Sequence, residues 1–240
     1  TVTGVSVPQF APFDGWVQNW MTTNQTRAAS LAVVRDGRLV YARGYTLAQP
    51  GYPITLPQSL FEVASCSKPI TSIAMHQHFE NPSKNMAATD AMLPYFPGIG
   101  LHPLLPQISL NALLTHQGGW DRNVSPDPMV GLDATIGAAF AQSLPIGKGL
   151  IRQYMFQTQP LDFVPDTDSQ YSNFGFSVLG QVLEQKNPGL TYEDVIERDI
   201  FQPLGLVRPR LARSTKAGLW PGEVYYHPYT PMLSRSVLSD

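Results

Sequence analysis

Phe61-Glu62-Val63-Ala64-Ser65-Cys66-Ser67-Lys68-Pro69-Ile70-Thr71 leads into a helical pattern over Ser65–His78, with Ile70, Ile73, Ala74 and Phe79 in its apolar set. Pro69 falls in the first turn or so, where a missing N–H does least harm. In such a helix Ser65 and Lys68 stand one turn apart on one face. A serine hydroxyl is a poor nucleophile until a base within hydrogen-bond reach takes its proton. A desolvated lysine near a helix N-terminus is pushed toward its neutral, proton-accepting form. The same helix start offers the Ser65 backbone N–H as an oxyanion donor. Ser-x-x-Lys alone is a common spacing, and it equally describes an ordinary helix start with a solvated lysine.

A second cluster follows about a hundred residues downstream. Tyr171-Ser172-Asn173 precedes Phe174–Lys186, a helix with Val178, Leu179, Val182 and Leu183 inward. A tyrosine beside the lysine can shuttle the proton to and from a leaving group. An asparagine can hold the lysine and a substrate carbonyl or amide. Taken alone, this triplet reads as a turn with a packed tyrosine and a capping asparagine.

The rest of the chain supplies one clear sheet element. Ala28–Arg35 and Arg38–Tyr45 are β-like runs joined by Asp36-Gly37, a pair that tolerates the positive φ of a tight hairpin. Residues 1–12 read as an extended arm. Phe13–Thr22 reads as an amphipathic helix with Phe13, Trp16, Val17 and Trp20 on one face. Further helices are expected at Ser109–Thr115, capped by Ser109, and at Thr135–Ser143, Leu150–Gln157 and Tyr192–Phe201. Val224–Tyr226 reads as a short strand, and the proline-rich stretches 46–60, 81–107 and 117–133 as loop.

Order and spacing together make the two clusters specific. Ser-x-x-Lys followed by Tyr-x-Asn resembles the serine β-lactamase and penicillin-binding-protein superfamily, of class C β-lactamase, D,D-peptidase and family VIII esterase type. Leu113-Leu114-Thr115-His116 with Gly118-Gly119 resembles its Leu-Leu-Thr-His-x-Ser-Gly signature, and Phe201-Gln202-Pro203-Leu204-Gly205 its Phe-x-Pro-Leu-Gly segment. The resemblance implies an α+β fold: an antiparallel sheet flanked by helices, plus a mainly helical region. It puts residues 1–240 in one β-lactamase-like domain, with a sheet hairpin at 27–46 and a helical region at 61–206. It maps Ser65 onto the nucleophile, Lys68 onto its base, Tyr171 onto the catalytic tyrosine and Asn173 onto the substrate-binding asparagine. His116 falls in a segment that the family uses structurally.

The superfamily's third motif, Lys-Thr-Gly or His-x-Gly on a strand, is missing after Tyr-x-Asn. Lys216-Ala217-Gly218 and His116-Gln117-Gly118 share its spacing but read as loop. With only Ala28–Tyr45 as convincing strands, the sheet is expected to be incomplete, with an open edge. A C-terminal fragment or second chain is the expected partner that completes it.

The implied activity is hydrolysis of an ester or amide through an acyl-enzyme on Ser65, with a small-molecule or peptide substrate. Acyl transfer to a non-water acceptor and non-catalytic binding are the alternatives. No metal or organic cofactor is implied. Net charge is -2 with no basic run, which argues against nucleic acid, and no apolar stretch reaches the ~20 residues of a membrane span. Cys66 is the only cysteine, so no internal disulfide is possible. Charged residues are 14% against about 25% in an average soluble protein, which points to a secreted or periplasmic protein and leaves the cytoplasm open.

Overall fold

A computed structural model describes residues 1–47, 51–98, 102–213 and 218–225. These fall in two compact units: residues 1–62 with 218–225, and residues 63–213.

The first unit is a three-stranded antiparallel sheet with one helix. Strands β1 (Val2–Thr3), β2 (Ala28–Arg35) and β3 (Arg38–Thr46) pair in the order β1-β3-β2. Asp36 and Gly37 both take positive φ, 50° and 71°, and close a two-residue turn between Arg35 and Arg38 as the Asp-Gly pair predicts. The N-terminal arm adds a strand that periodicity could not show, because two residues carry no alternation: Val2 pairs with Tyr45 and Thr3 with Gly44. Gly44 is required there. A Cβ on it would lie 2.5 Å from the Thr55 carbonyl oxygen.

Helix α1 (Ala11–Thr23) lies on this sheet. Its buried residues are Val17 and Met21, which pack with Tyr45. The expected aromatic stripe is only partly used: Phe13, Trp16 and Trp20 are 44%, 66% and 46% exposed. A polar pin holds the helix instead. Asp14 accepts hydrogen bonds from Tyr41 Oη (2.7 Å), Tyr45 Oη (2.8 Å) and Arg43 Nε (3.2 Å). Burial raises the Asp14 carboxyl, but these donors and the Arg43 charge outweigh it and hold it below the usual carboxylate range. The Val224–Tyr226 strand reduces to an isolated parallel bridge between Leu60 and Glu223; Tyr226 lies outside the described residues.

The second unit is helical. It comprises a 3₁₀ turn (Ala64–Cys66) leading into α2 (Ser67–Glu80), then α3 (Leu110–Leu114), α4 (Asp133–Ala139), α5 (Lys148–Gln157), α6 (Asn173–Lys186) and α7 (Tyr192–Ile196), which runs on into a π-helical turn at Glu197–Phe201. α6 is the axle: every residue from Asn173 to Leu183 is buried, and the helix lies against α2, α3 and α7. Phe174 meets the edge of Trp120 at 4.8 Å and of Phe156 at 6.1 Å between ring centroids. Burying a large apolar side chain of this kind contributes about 1.5–3 kcal/mol. Ser109 caps α3 as expected, and a Thr191–Asp194 capping box starts α7.

Candidate active site

Two local geometries, both within the helical unit, aim the motif residues at one point. Ser65 sits in the 3₁₀ turn and Lys68 one turn later in α2, so both face the same side. Ala64, immediately before Ser65, has φ +48°, a left-handed conformation that a non-glycine residue holds only at a cost. Tyr171 and Asn173 flank Ser172, whose backbone is extended and whose hydroxyl accepts from the Gly175 N–H at 3.1 Å to cap α6. Alternate residues of an extended segment point the same way. The cap is therefore Ser172, which leaves Asn173 free for other work.

The four side chains meet. Ser65 Oγ lies 2.7 Å from Tyr171 Oη. Lys68 Nζ donates to Ser65 Oγ at 3.3 Å and to Asn173 Oδ1 at 2.8 Å. Lys68 is 6% exposed and lies 4.5 Å from the centre of the Tyr171 ring. Partial burial pushes the Tyr171 phenol up. Hydrogen bonding to Lys68 and Ser65 and the charges of Lys68 and Arg122 outweigh this, and the phenol is held below its ordinary range.

Three further side chains join the cluster. Asn173 Nδ2 donates to Asp127 Oδ2 at 2.6 Å, which fixes the amide orientation: the nitrogen faces a carboxylate and the oxygen faces an ammonium. His116 Nδ1 accepts the Ser172 N–H at 3.2 Å, and its ring lies 4.7 Å from Tyr171 and 5.2 Å from Phe176. Burial and the neighbouring Lys68 charge lower the His116 pKa and favour the neutral ring this bond requires. Arg122 stacks its guanidinium 4.7 Å from the Tyr171 ring centre. Asp127 and Arg122 lie in the 117–133 loop, which carries no periodicity; their place is set by tertiary contacts and no local pattern marks it.

One expectation needs correcting. The Ser65 N–H donates to the Val63 carbonyl at 2.7 Å, so the proposed oxyanion donor is engaged in this structure. No strand follows Asn173 among the described residues, and Lys216 and Ala217 lie outside them. His116-Gln117-Gly118 is a turn after α3, with His116 at φ 62°. Among the described residues no group of three or more His, Cys, Asp or Glu side chains is gathered as metal ligands, and no helix is long and apolar enough to cross a membrane.

The Beta-lactamase family model matches residues 13–235. The chain belongs to the Beta-lactamase family. Its relatives in that family include a D-aminopeptidase of Gluconobacter oxydans, 27% identical over 194 residues that cover 78% of this chain and 33% of the relative. A putative D-alanyl-D-alanine carboxypeptidase of Escherichia coli (strain K12) is 23% identical over 216 residues, 85% of this chain and 47% of the relative. The chain thus spans less than half the length of these curated relatives. The octameric penicillin-binding protein homologue from Pyrococcus abyssi superposes with a TM-score of 0.68 at 20% identity, over 89% of this chain and 46% of that one. The fold is the β-lactamase/transpeptidase-like α+β fold of the family, with a small antiparallel sheet present in part.

Proposed function

We propose that the protein is a serine hydrolase that cleaves a carboxylic ester or a D-amino-acid peptide through an acyl-enzyme on Ser65. The observation that carries this reading is the unbroken chain of contacts from Tyr171 Oη to Ser65 Oγ to Lys68 Nζ to Asn173 Oδ1, at 2.7, 3.3 and 2.8 Å. A non-catalytic binding protein has no use for a buried lysine held against a serine hydroxyl.

In the proposed sequence Ser65 Oγ attacks the carbonyl carbon and its proton passes to Lys68, the base, directly or through the Tyr171 hydroxyl that lies 2.7 Å from Ser65 Oγ. Tyr171 relays the proton between Lys68 and the leaving atom. Tyr171 returns the proton to the leaving oxygen or nitrogen, and an acyl group remains on Ser65. Water then attacks along the same route, with Lys68 again taking the proton and Tyr171 relaying it, and releases the acid. Opening the Ser65 N–H from the Val63 carbonyl would supply one oxyanion donor.

We further propose that residues 1–240 form part of one β-lactamase-like domain that acts outside the cytoplasm. Among the described residues strand β2 pairs only with β3, which leaves one edge for strands from a further segment or second chain to complete the sheet. Turnover of short-chain esters and D-amino-acid dipeptides by the protein and by its Ser65→Ala variant tests the hydrolase reading. Turnover that vanishes in the variant is expected. Full activity in Ser65→Ala would overturn the assignment.

A further inference from the structure

The electrostatics around Tyr171 go beyond a device for moving a proton. Its ring has Lys68 Nζ at 4.5 Å and the Arg122 guanidinium at 4.7 Å from its centre, so two cations share one aromatic side chain. Lys68 is buried and committed to Ser65 and Asn173. Arg122 is exposed and stacks on the Tyr171 ring, and among the described residues no hydrogen bond or ion pair joins its guanidinium to an acceptor.

The neighbouring carboxylates have other tasks. Asp121 Oδ1 accepts the Asn123 N–H, and Asp127 accepts from Asn173 and from the Met129 N–H. The loop that carries Arg122 is braced as well. Asp162 accepts the Asp121 N–H at 2.8 Å and the Ser125 hydroxyl at 2.5 Å, and the Gly119 carbonyl accepts the Asp162 N–H at 2.8 Å. Gly119 has φ +102°, and a Cβ there would lie 2.9 Å from the Phe163 carbonyl oxygen, so the close approach of these two loops requires glycine.

A guanidinium presents a planar fork of donors that matches a carboxylate. Here the fork is open, on a braced loop, stacked on the residue that serves the leaving atom. We propose that Arg122 is a specificity-determining residue that binds a carboxylate on the leaving half of the substrate. It rests on the hydrolase reading above. Stacking on Tyr171 holds the cation beside the reacting group, and the substrate anion supplies the acceptor that the described residues do not.

The test compares phenyl butyrate with 3-carboxyphenyl butyrate, and reads the ratio of their kcat/KM values within each variant, so that any general loss of activity cancels. The protein is expected to favour the carboxylated ester. Arg122→Gln is expected to lower that ratio roughly 10-fold, the size of a charge-assisted hydrogen bond. Arg122→Glu is expected to lower it further and Arg122→Lys to keep part of it. Turnover of both esters at a ratio that Arg122→Gln leaves unmoved overturns this inference and leaves the hydrolase reading standing. If neither ester is turned over, the same variants are read on D-amino-acid dipeptides with a free and an amidated C-terminal carboxylate: a ratio that Arg122→Gln leaves unmoved overturns this inference alone, and no turnover of any of these substrates overturns both.

Discussion

The two units solve the problem of burying apolar surface differently. In the helical unit a continuous core runs from Met75 on α2 through Leu113 and Phe156 to Phe174, Val178 and Leu179 on α6, all at most 1% exposed. In the sheet unit the core is Val17, Met21 and Tyr45, while Trp16, Val34 and Leu39 are each more than 60% exposed. The sheet unit relies more on a polar pin around Asp14 and on backbone pairing. Every group placed at the candidate site, from Ser65 to Asn173, belongs to the helical unit. A site that must hold four side chains within hydrogen-bond reach of each other sits where packing leaves least freedom.

The sharpest way to break this contrast is at the site. Lys68→Ala should slow acylation roughly 10²–10⁴-fold, measured as the rate of covalent labelling, while circular dichroism of the helices stays native. Next is the core of the helical unit. Phe174→Ala should cost about 3–5 kcal/mol in denaturant unfolding, since its ring is enclosed by Trp120 and Phe156. In the sheet unit Asp14→Ala should cost less, about 1–3 kcal/mol, by leaving Tyr41, Tyr45 and Arg43 without their common acceptor.

A smaller effect follows from pH. His78 is buried, its Nδ1 bonds the Ala74 carbonyl at 2.9 Å, and its Nε2 faces the Asn187 amide nitrogen at 2.8 Å. That arrangement needs the neutral ring with the proton on Nδ1, and burial lowers the folded-state pKa below 6.5. The unfolded state then binds the proton first. This contribution to stability is complete above pH 6.5 and falls as pH drops below it, by at most about 1.4 kcal/mol per pH unit for one group. Chemical denaturation between pH 7.5 and 5 checks the sign, and a flat or rising profile that His78→Gln does not alter would contradict it. The smallest effect is expected at Trp16. Its ring is 66% exposed, so Trp16→Ala should change stability by under about 0.5 kcal/mol.

The sequence was readable where structure is local. Asp36-Gly37 marked the hairpin, Ser109 the cap of α3, and the apolar spacing of residues 174–186 the buried helix. Ser65, Lys68, Tyr171 and Asn173 stood out because two spaced motifs in one order are rare together. What escaped was non-local. β1 is two residues held by pairing with β3, so nothing within it announces a strand. Trp16 and Trp20 look like a buried stripe by period alone, but α1 buries Val17 and Met21 instead. Asp127 and Arg122 sit in an aperiodic loop whose course is set by Asp162, far along the chain.

Peptide mapping by mass spectrometry after treatment with a fluorophosphonate tests the central assignment most directly. The account predicts one adduct, on the peptide carrying Ser65, formed far more slowly in Lys68→Ala and absent in Ser65→Ala. An adduct on another residue, or a folded protein in which Ser65 stays unlabelled, would contradict it.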